Sequence, residues 1–177
     1  MVRADLAIGS VWDSHCHLDF LARRLAKVGI RHGHSLAVSL QQEEEAREVM
    51  REVGVAANHR IHLHCFSSSW EVADSWLQAY PGAKLGLTAL VTFPHAKEVH
   101  EVARRVPLGR LLLETDAPYF LPRQVSQGAA YRHSFAMPGH VVHVAAQIAA
   151  IRDVPVQEVL RANRRNIAEV YGIDTSS

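Results

Sequence analysis

Only two cysteines, Cys16 and Cys65, occur in 177 residues. That is too few for a disulfide framework, and it points to a reducing, intracellular compartment. Charge of one sign is lacking as well: 19 Lys and Arg stand against 18 Asp and Glu, a net charge of +1. No global basic field advertises nucleic acid, so any such binding has to come from a local patch. No apolar run approaches the ~20 residues that a membrane-spanning helix requires. Met1–Ser10 lacks the apolar core of a signal peptide. The expectation is a protein of the nucleus or cytoplasm, neither secreted nor membrane-bound. There is also no long linker, low-complexity stretch or internal repeat. With 48% hydrophobic and 21% charged residues, the composition is that of a globular chain and argues against extensive disorder. One domain over residues 1–177, built on one sizeable core, is the simplest organisation.

Histidine, by contrast, is abundant. Twelve are present, several of them paired: His15/His17, His32/His34, His62/His64 and His140/His143. Histidine is the commonest metal ligand and also an ordinary surface residue, so position has to separate the two roles. Four short apolar stretches bounded by turn residues read as buried strands: Gly9–Ser14, Arg60–His64, Ala83–Val91 and Arg110–Thr115. Amphipathic helices lie between them. Ala46, Val49, Met50 and Val53 share one face of Glu43–Val53, and Ala73, Trp76, Leu77 and Tyr80 share one face of Trp70–Tyr80. Ala96, Val99, Ala103 and Val106 mark a third. Pro138–Ala150 and Pro155–Tyr171 also read as helical, with Pro155 at a first turn and Gly172 at a stop. Alternating strands and helices predict a mostly parallel sheet with helical crossovers. Leu21–Gln42 fits no element well.

Polar clusters end three of the strands. His15 and His17 are two residues apart, so both side chains leave one face of a strand. Asp13 and Asp19 beside them serve equally as acidic neighbours or as turn and cap residues. Asp116 closes an apolar strand, where a carboxylate can bind a divalent cation and take a proton from an attacking water; the plainer role is a helix N-cap. His64 ends a third strand, and His62 shares its face, so periodicity leaves open which of the two points at a site. Ser67–Ser69 fits an N-cap cluster better than a phosphate cradle. His140 and His143 read as an exposed pair.

In combination these segments are far more specific. His15-Cys16-His17-Leu18-Asp19, His64-Cys65-Phe66-Ser67 and Glu114-Thr115-Asp116-Ala117-Pro118-Tyr119, in this order, resemble the TatD family of metal-dependent deoxyribonucleases. Phe120-Leu121-Pro122-Arg123 and Asn166-Ile167-Ala168-Glu169-Val170-Tyr171 are similar to that family's closing segments. The resemblance runs over Val11–Leu25 and from about Glu45 to Gly172. It implies an α/β fold of the (β/α)8 TIM-barrel type with a metal site at the carboxyl ends of the strands. It also implies hydrolysis of phosphodiester bonds, 3′-exonuclease-like, in DNA as single strands or 3′ ends, with RNA possible as substrate. The implied cofactor is a divalent metal, two ions, with Mg²⁺ first and Mn²⁺ or Zn²⁺ as alternatives. By motif, His15 and His17 would bind one ion and His64 the other. Asp116 would be both a ligand and the catalytic residue that helps activate the water. Two such ions about 4 Å apart can generate hydroxide and stabilise the leaving oxygen.

Two family ligands have no counterpart. One is the glutamate of a Gly-Glu-x-Gly-Leu-Asp segment, the other the histidine of a strand resembling Pro-Leu-Val-Ile-His-Cys-Arg. Length agrees, since such a barrel usually takes ~250 residues. The shortfall falls around residues 20–42, and Leu36-Ala37-Val38-Ser39-Leu40 resembles the end of the helix preceding the missing histidine strand. Three explanations are open: an internal deletion, the preferred one; replacement of the lost ligands by His32, His34 or one of Glu43–Glu45; or completion of the barrel by a second chain. An opened barrel exposes edges, and losing the two ligands costs metal affinity and rate. The rival to a nuclease is therefore a catalytically inactive module that still binds nucleic acid or a protein partner, with Arg104, Arg105, Arg110, Arg123, Arg132, Arg161, Arg164 and Arg165 available for phosphate contacts.

Overall fold

The computed structural model describes residues 35–39, 43–127 and 135–173. The expected strand Gly9–Ser14, and with it His15 and His17, lies outside the described residues, as do His32, His34 and Arg132. Four parallel strands form one sheet in sequential order: β1 (Ser35–Ser39), β2 (Arg60–His64), β3 (Lys84–Leu87) and β4 (Leu111–Leu113). Sequential parallel order with helical crossovers is the repeating pattern of a (β/α) barrel.

Alternation decides which side of the sheet is covered. Ile61 and Leu63 on β2, and Leu85 and Leu87 on β3, are fully buried in the main core. Arg60, His62 and His64, with Lys84 and Gly86, occupy the alternate positions and so the opposite face. On the core side lie α1 (Glu43–Glu52), α2 (Trp70–Ala79), α3 (Lys97–Arg105) and α5 (Val141–Arg152). A single-turn α4 spans Arg123–Ser126, and α6, Val156–Tyr171, closes the chain. The helical faces meet the core as their spacing predicts: Ala46, Met50, Ala73, Trp76, Val99, Val102, Ala103 and Val106 are all buried. Trp76 is fully covered, and truncating a side chain of that size in a core removes about 3–5 kcal/mol.

Three sequence expectations need correction. Of Leu36–Leu40, which resembles the end of a helix, the described residues Leu36–Ser39 belong to strand β1, which pairs with β2 so that Ser39 stands opposite His64. Ala83–Val91 is not one strand. It breaks after Leu87, where the Thr88 hydroxyl accepts from the Leu90 amide and caps a 3-10 turn over Ala89–Thr92. Arg110 does not wait for phosphate: its guanidinium donates to the Ala83 and Tyr80 carbonyls at 2.6 and 2.9 Å.

Helix α6 is tied to the sheet by its polar side. Asn163 accepts from the Leu113 amide at 2.9 Å. The buried Asn166 donates to the Leu108 and Leu111 carbonyls, both at 2.7 Å. Glu169 meets the buried Lys84 ammonium at 2.6 Å. The residues recur every three positions, so one face of the helix carries them all. No helix among the described residues is long and apolar enough to cross a membrane.

Candidate metal centre at the strand ends

At the carboxyl ends of β2 and β4 the chain turns sharply into the left-handed region. Cys65, immediately after β2, has φ 52°, and Asp116, three residues past β4, has φ 51°. A left-handed conformation is unfavourable for a residue with a Cβ and persists only where surrounding bonds hold it. Here the Cys65 amide donates to Glu114 Oε2 at 2.8 Å, and the Phe66 amide donates to the Gly86 carbonyl at 2.8 Å.

Glu114 is the hub. Its Oε1 lies 2.7 Å from His64 Nδ1 and 2.8 Å from His62 Nε2. The carboxylate fits because β3 has a glycine opposite: a Cβ on Gly86 would overlap Glu114 and come within 2.5 Å of His62 Nε2. Burial alone would raise the Glu114 pKa, but the two imidazoles of His62 and His64 lying against the carboxylate outweigh it and bring it to about 2. Glu114 is therefore ionised and can only accept. His64 is held by Nδ1–H donation to it, which turns Nε2 toward Cys65 Sγ at 3.1 Å and Asp116 Oδ1 at 3.5 Å. Burial lowers the His64 pKa, yet the bond and charge of Glu114, then Asp116, leave it raised. The Cys65 thiol is pushed up by burial, then by Glu114 and Asp116, so it is protonated and no nucleophile.

Carboxylate to imidazole to a second donor is the arrangement by which proteins orient a ligating histidine. Two groups of side chains bring one nitrogen, oxygen or sulfur atom each to within 4.8 Å of one another: His62, His64 and Glu114, and His64, Cys65 and Asp116. The mixed donors of the second group suit a divalent ion. His62 adds a buried Nε2 that has no aligned hydrogen-bond partner among the described residues. Its distance to Glu114 is short, but the N–H direction misses the carboxylate.

Of the sequence-predicted site residues, His64 and Asp116 are brought together, while His15 and His17 lie outside the described residues. Glu114 and Tyr171 escaped notice as separate residues. Glu114 was legible in principle: it stands two residues before Asp116, at the end of the same apolar run. Tyr171 reaches the site from the last turn of α6, its hydroxyl 2.6 Å from His62 Nδ1. His140 and His143 sit near the start of α5, with ring centroids 6.0 Å apart, and His140 Nδ1 accepts from the Met137 amide. Ser69 occupies the N-cap position of α2 without a side-chain cap bond.

Comparison with known proteins agrees with this geometry. The family model of TatD related DNase matches residues 20–172. The human 3′-5′ RNA nuclease TATDN2 is 37% identical over 147 residues, 78% of this chain and 19% of that protein. The 3′-5′ ssDNA/RNA exonuclease TatD of Klebsiella pneumoniae is 33% identical over 115 residues, 64% of this chain and 42% of that protein. The crystal structure of YjjV, a TatD homolog from Escherichia coli, superposes with a TM-score of 0.68 at 21% identity, covering 88% of this chain and 55% of that one. A TatD family hydrolase from Entamoeba histolytica superposes with a TM-score of 0.69 at 19% identity, covering 84% and 55%. The chain thus spans between a fifth and about half of the length of these relatives, and the four strands of its described residues correspond to part of a TIM-barrel fold. By its family match and its fold, the chain belongs to the TatD related DNase family.

Proposed function

We propose that this chain carries part of a metal-dependent phosphodiesterase site, in which His64 and Asp116 are ligands to a divalent ion and Asp116 accepts the proton of the attacking water. The observation behind this reading is the Glu114–His64–Asp116 arrangement, with Glu114 on one imidazole nitrogen and Asp116 facing the other. A divalent ion bound there would polarise the phosphate and lower the pKa of a bound water. Glu114 holds the imidazole in one orientation and stays charged. Cys65 stays neutral and lines the site. His15 and His17 would supply the partner ion's ligands, giving two ions, Mg²⁺ in the first place and Mn²⁺ or Zn²⁺ otherwise. The substrate would be single-stranded nucleic acid at its 3′ end, DNA first and RNA second. Exposed Arg104, Arg161, Arg164 and Arg165 offer phosphate contacts. The domain would be a single one over residues 1–177, shortened around 20–42.

The test is cleavage of end-labelled single-stranded DNA, and of RNA of the same sequence, with Mg²⁺, with Mn²⁺ and with EDTA. Cleavage that needs metal and is lost in Asp116→Asn is the expected result. Equal cleavage by wild type and variant removes Asp116 from the mechanism. A second reading, an inactive module that binds nucleic acid or a protein, is favoured by two observations. The chain covers 55% of its structural neighbours, and the Gly-Glu-x-Gly-Leu-Asp segment is absent from the sequence. A folded chain that retains single-stranded DNA without cutting it would select that reading.

A further inference from the structure

His62 is an expensive residue where it stands. It is 3% exposed in the middle of a strand, a place where a leucine or valine would avoid burying two polar nitrogens. Its surroundings give it a use. Nδ1 lies 2.6 Å from the Tyr171 hydroxyl, and Nε2 lies 2.8 Å from Glu114 Oε1, the same oxygen that binds His64 Nδ1. Since Glu114 is acceptor-only, the proton of His62 belongs on the Nε2 side, and the Tyr171 O–H donates to Nδ1. We propose that Tyr171 and His62 are positioning residues: the end of the last helix holds His62, His62 backs Glu114, and Glu114 aims His64 at the metal centre. The inference rests on the reading of His64 as a metal ligand given above.

Several observations fix Tyr171 where this role needs it. Helix α6 ends at Gly172 with φ 65°, and the Ile173 amide closes the turn onto the Ala168 carbonyl at 3.0 Å. A Cβ on Gly172 would lie 2.8 Å from Arg60 Nη1, which itself donates to the Glu169 carbonyl at 3.4 Å. Lys84 holds the Glu169 carboxylate. Arg60, His62 and Lys84 share the face of the sheet that the helix end crosses. The Tyr171 ring stays 40% exposed while its hydroxyl is engaged. The Tyr171 pKa is pushed up to about 12 by burial and then by Glu114. Because His62 Nε2 meets Glu114 off its N–H axis, the Tyr171 bond is, among the described residues, the aligned hydrogen bond that sets the ring's rotation; without it the ring can turn and Glu114 loses its backing.

The experiment uses the full chain, ¹⁵N-labelled at histidine. Imidazole nitrogen shifts report the tautomer of His64 in the metal-free protein, and a Mn²⁺ titration reports affinity. Thermal unfolding confirms the fold of each variant. Tyr171→Phe keeps the ring packing and removes only the hydroxyl. It should lose the fixed Nδ1–H tautomer of His64 and weaken Mn²⁺ binding about 3- to 10-fold, less than the loss of a partner bonded directly to the ligand. His62→Gln should do the same, and adding Tyr171→Phe to it should change affinity by less than about twofold. An unchanged His64 tautomer in folded Tyr171→Phe overturns the proposal whatever the affinity. A tautomer that moves in a protein whose wild type binds no Mn²⁺ upholds the positioning and sinks the metal role of His64 instead.

Discussion

The two ends of the same sheet face treat buried charge in opposite ways. At the amino end, Lys84 is 3% exposed yet bonded to Glu169 and to the Gly109 carbonyl, at 2.6 and 2.7 Å. There the partners come from the closing helix and from the turn that precedes β4. Toward the carboxyl end, the imidazoles of His64 and of His62, which stands in register with Lys84 and reaches forward, crowd one oxygen of Glu114. Two residues with side chains take left-handed backbone, and a buried imidazole nitrogen lacks an aligned partner. Both ends bury polar groups, but only the amino end settles them internally. Unsettled groups held in place by strain lie at the end to which the proposed metal site is assigned.

The carboxyl-end cluster is most vulnerable at Gly86. Gly86→Ala forces a methyl into the space of Glu114 and His62, so we expect about 3 kcal/mol of destabilisation with loss of Mn²⁺ binding. Denaturant unfolding and metal titration on the same sample check both. Asn166→Ala strips donors from two carbonyls. Leaving them without a protein partner should cost about 2 kcal/mol in urea unfolding. Because Asn166 lies far from the strand ends in sequence and touches neither His64 nor Asp116, affinity per folded molecule should hold.

Acid sharpens the contrast. Glu114 is brought down from 4.5 to about 2 by its two histidines. Its contribution to stability is therefore present above pH 4.5 and lost as the pH falls toward 2. His64, whose pKa is raised, is protonated in folded and unfolded chains alike over that window and adds no slope. Unfolding midpoints of metal-free protein should fall across it, and fall less in Glu114→Gln. At the amino end, Lys84→Met replaces a buried ammonium whose partner is 65% exposed. The expected change is within about 1 kcal/mol in thermal unfolding. Smallest of all is Arg105→Ala, which removes an exposed pair with Glu101 and a guanidinium 4.4 Å from the Trp70 ring. Under about 1 kcal/mol is expected by thermal unfolding.

Much of this architecture was legible because its signals are local. The Arg60–His64 alternation, the faces of α1, α2 and α3, and the Gly172 stop follow from periodicity and from backbone freedom. Ser35–Ser39 was not, since five residues of mixed polarity take strand form only by pairing with β2. At the site, His64 and Asp116 announced themselves at strand ends. The choice between His62 and His64 could not be made by period two, because both leave the same face. It took Glu114, fifty residues on, to show that both are used, one turned to Asp116 and the other toward Tyr171. Tyr171 carried no local signal, being one more apolar position in a helix until its hydroxyl meets a strand over a hundred residues earlier.

The most direct measurement is Mn²⁺ binding by isothermal titration to the wild-type chain, to His64→Gln and to Asp116→Asn, with thermal unfolding of all three. Binding by the wild type and a loss of at least about tenfold in each variant are expected, with unfolding temperatures little changed. Equal Mn²⁺ affinity in the three folded proteins would contradict it, and would mean that the strand ends of β2 and β4 do not hold the metal.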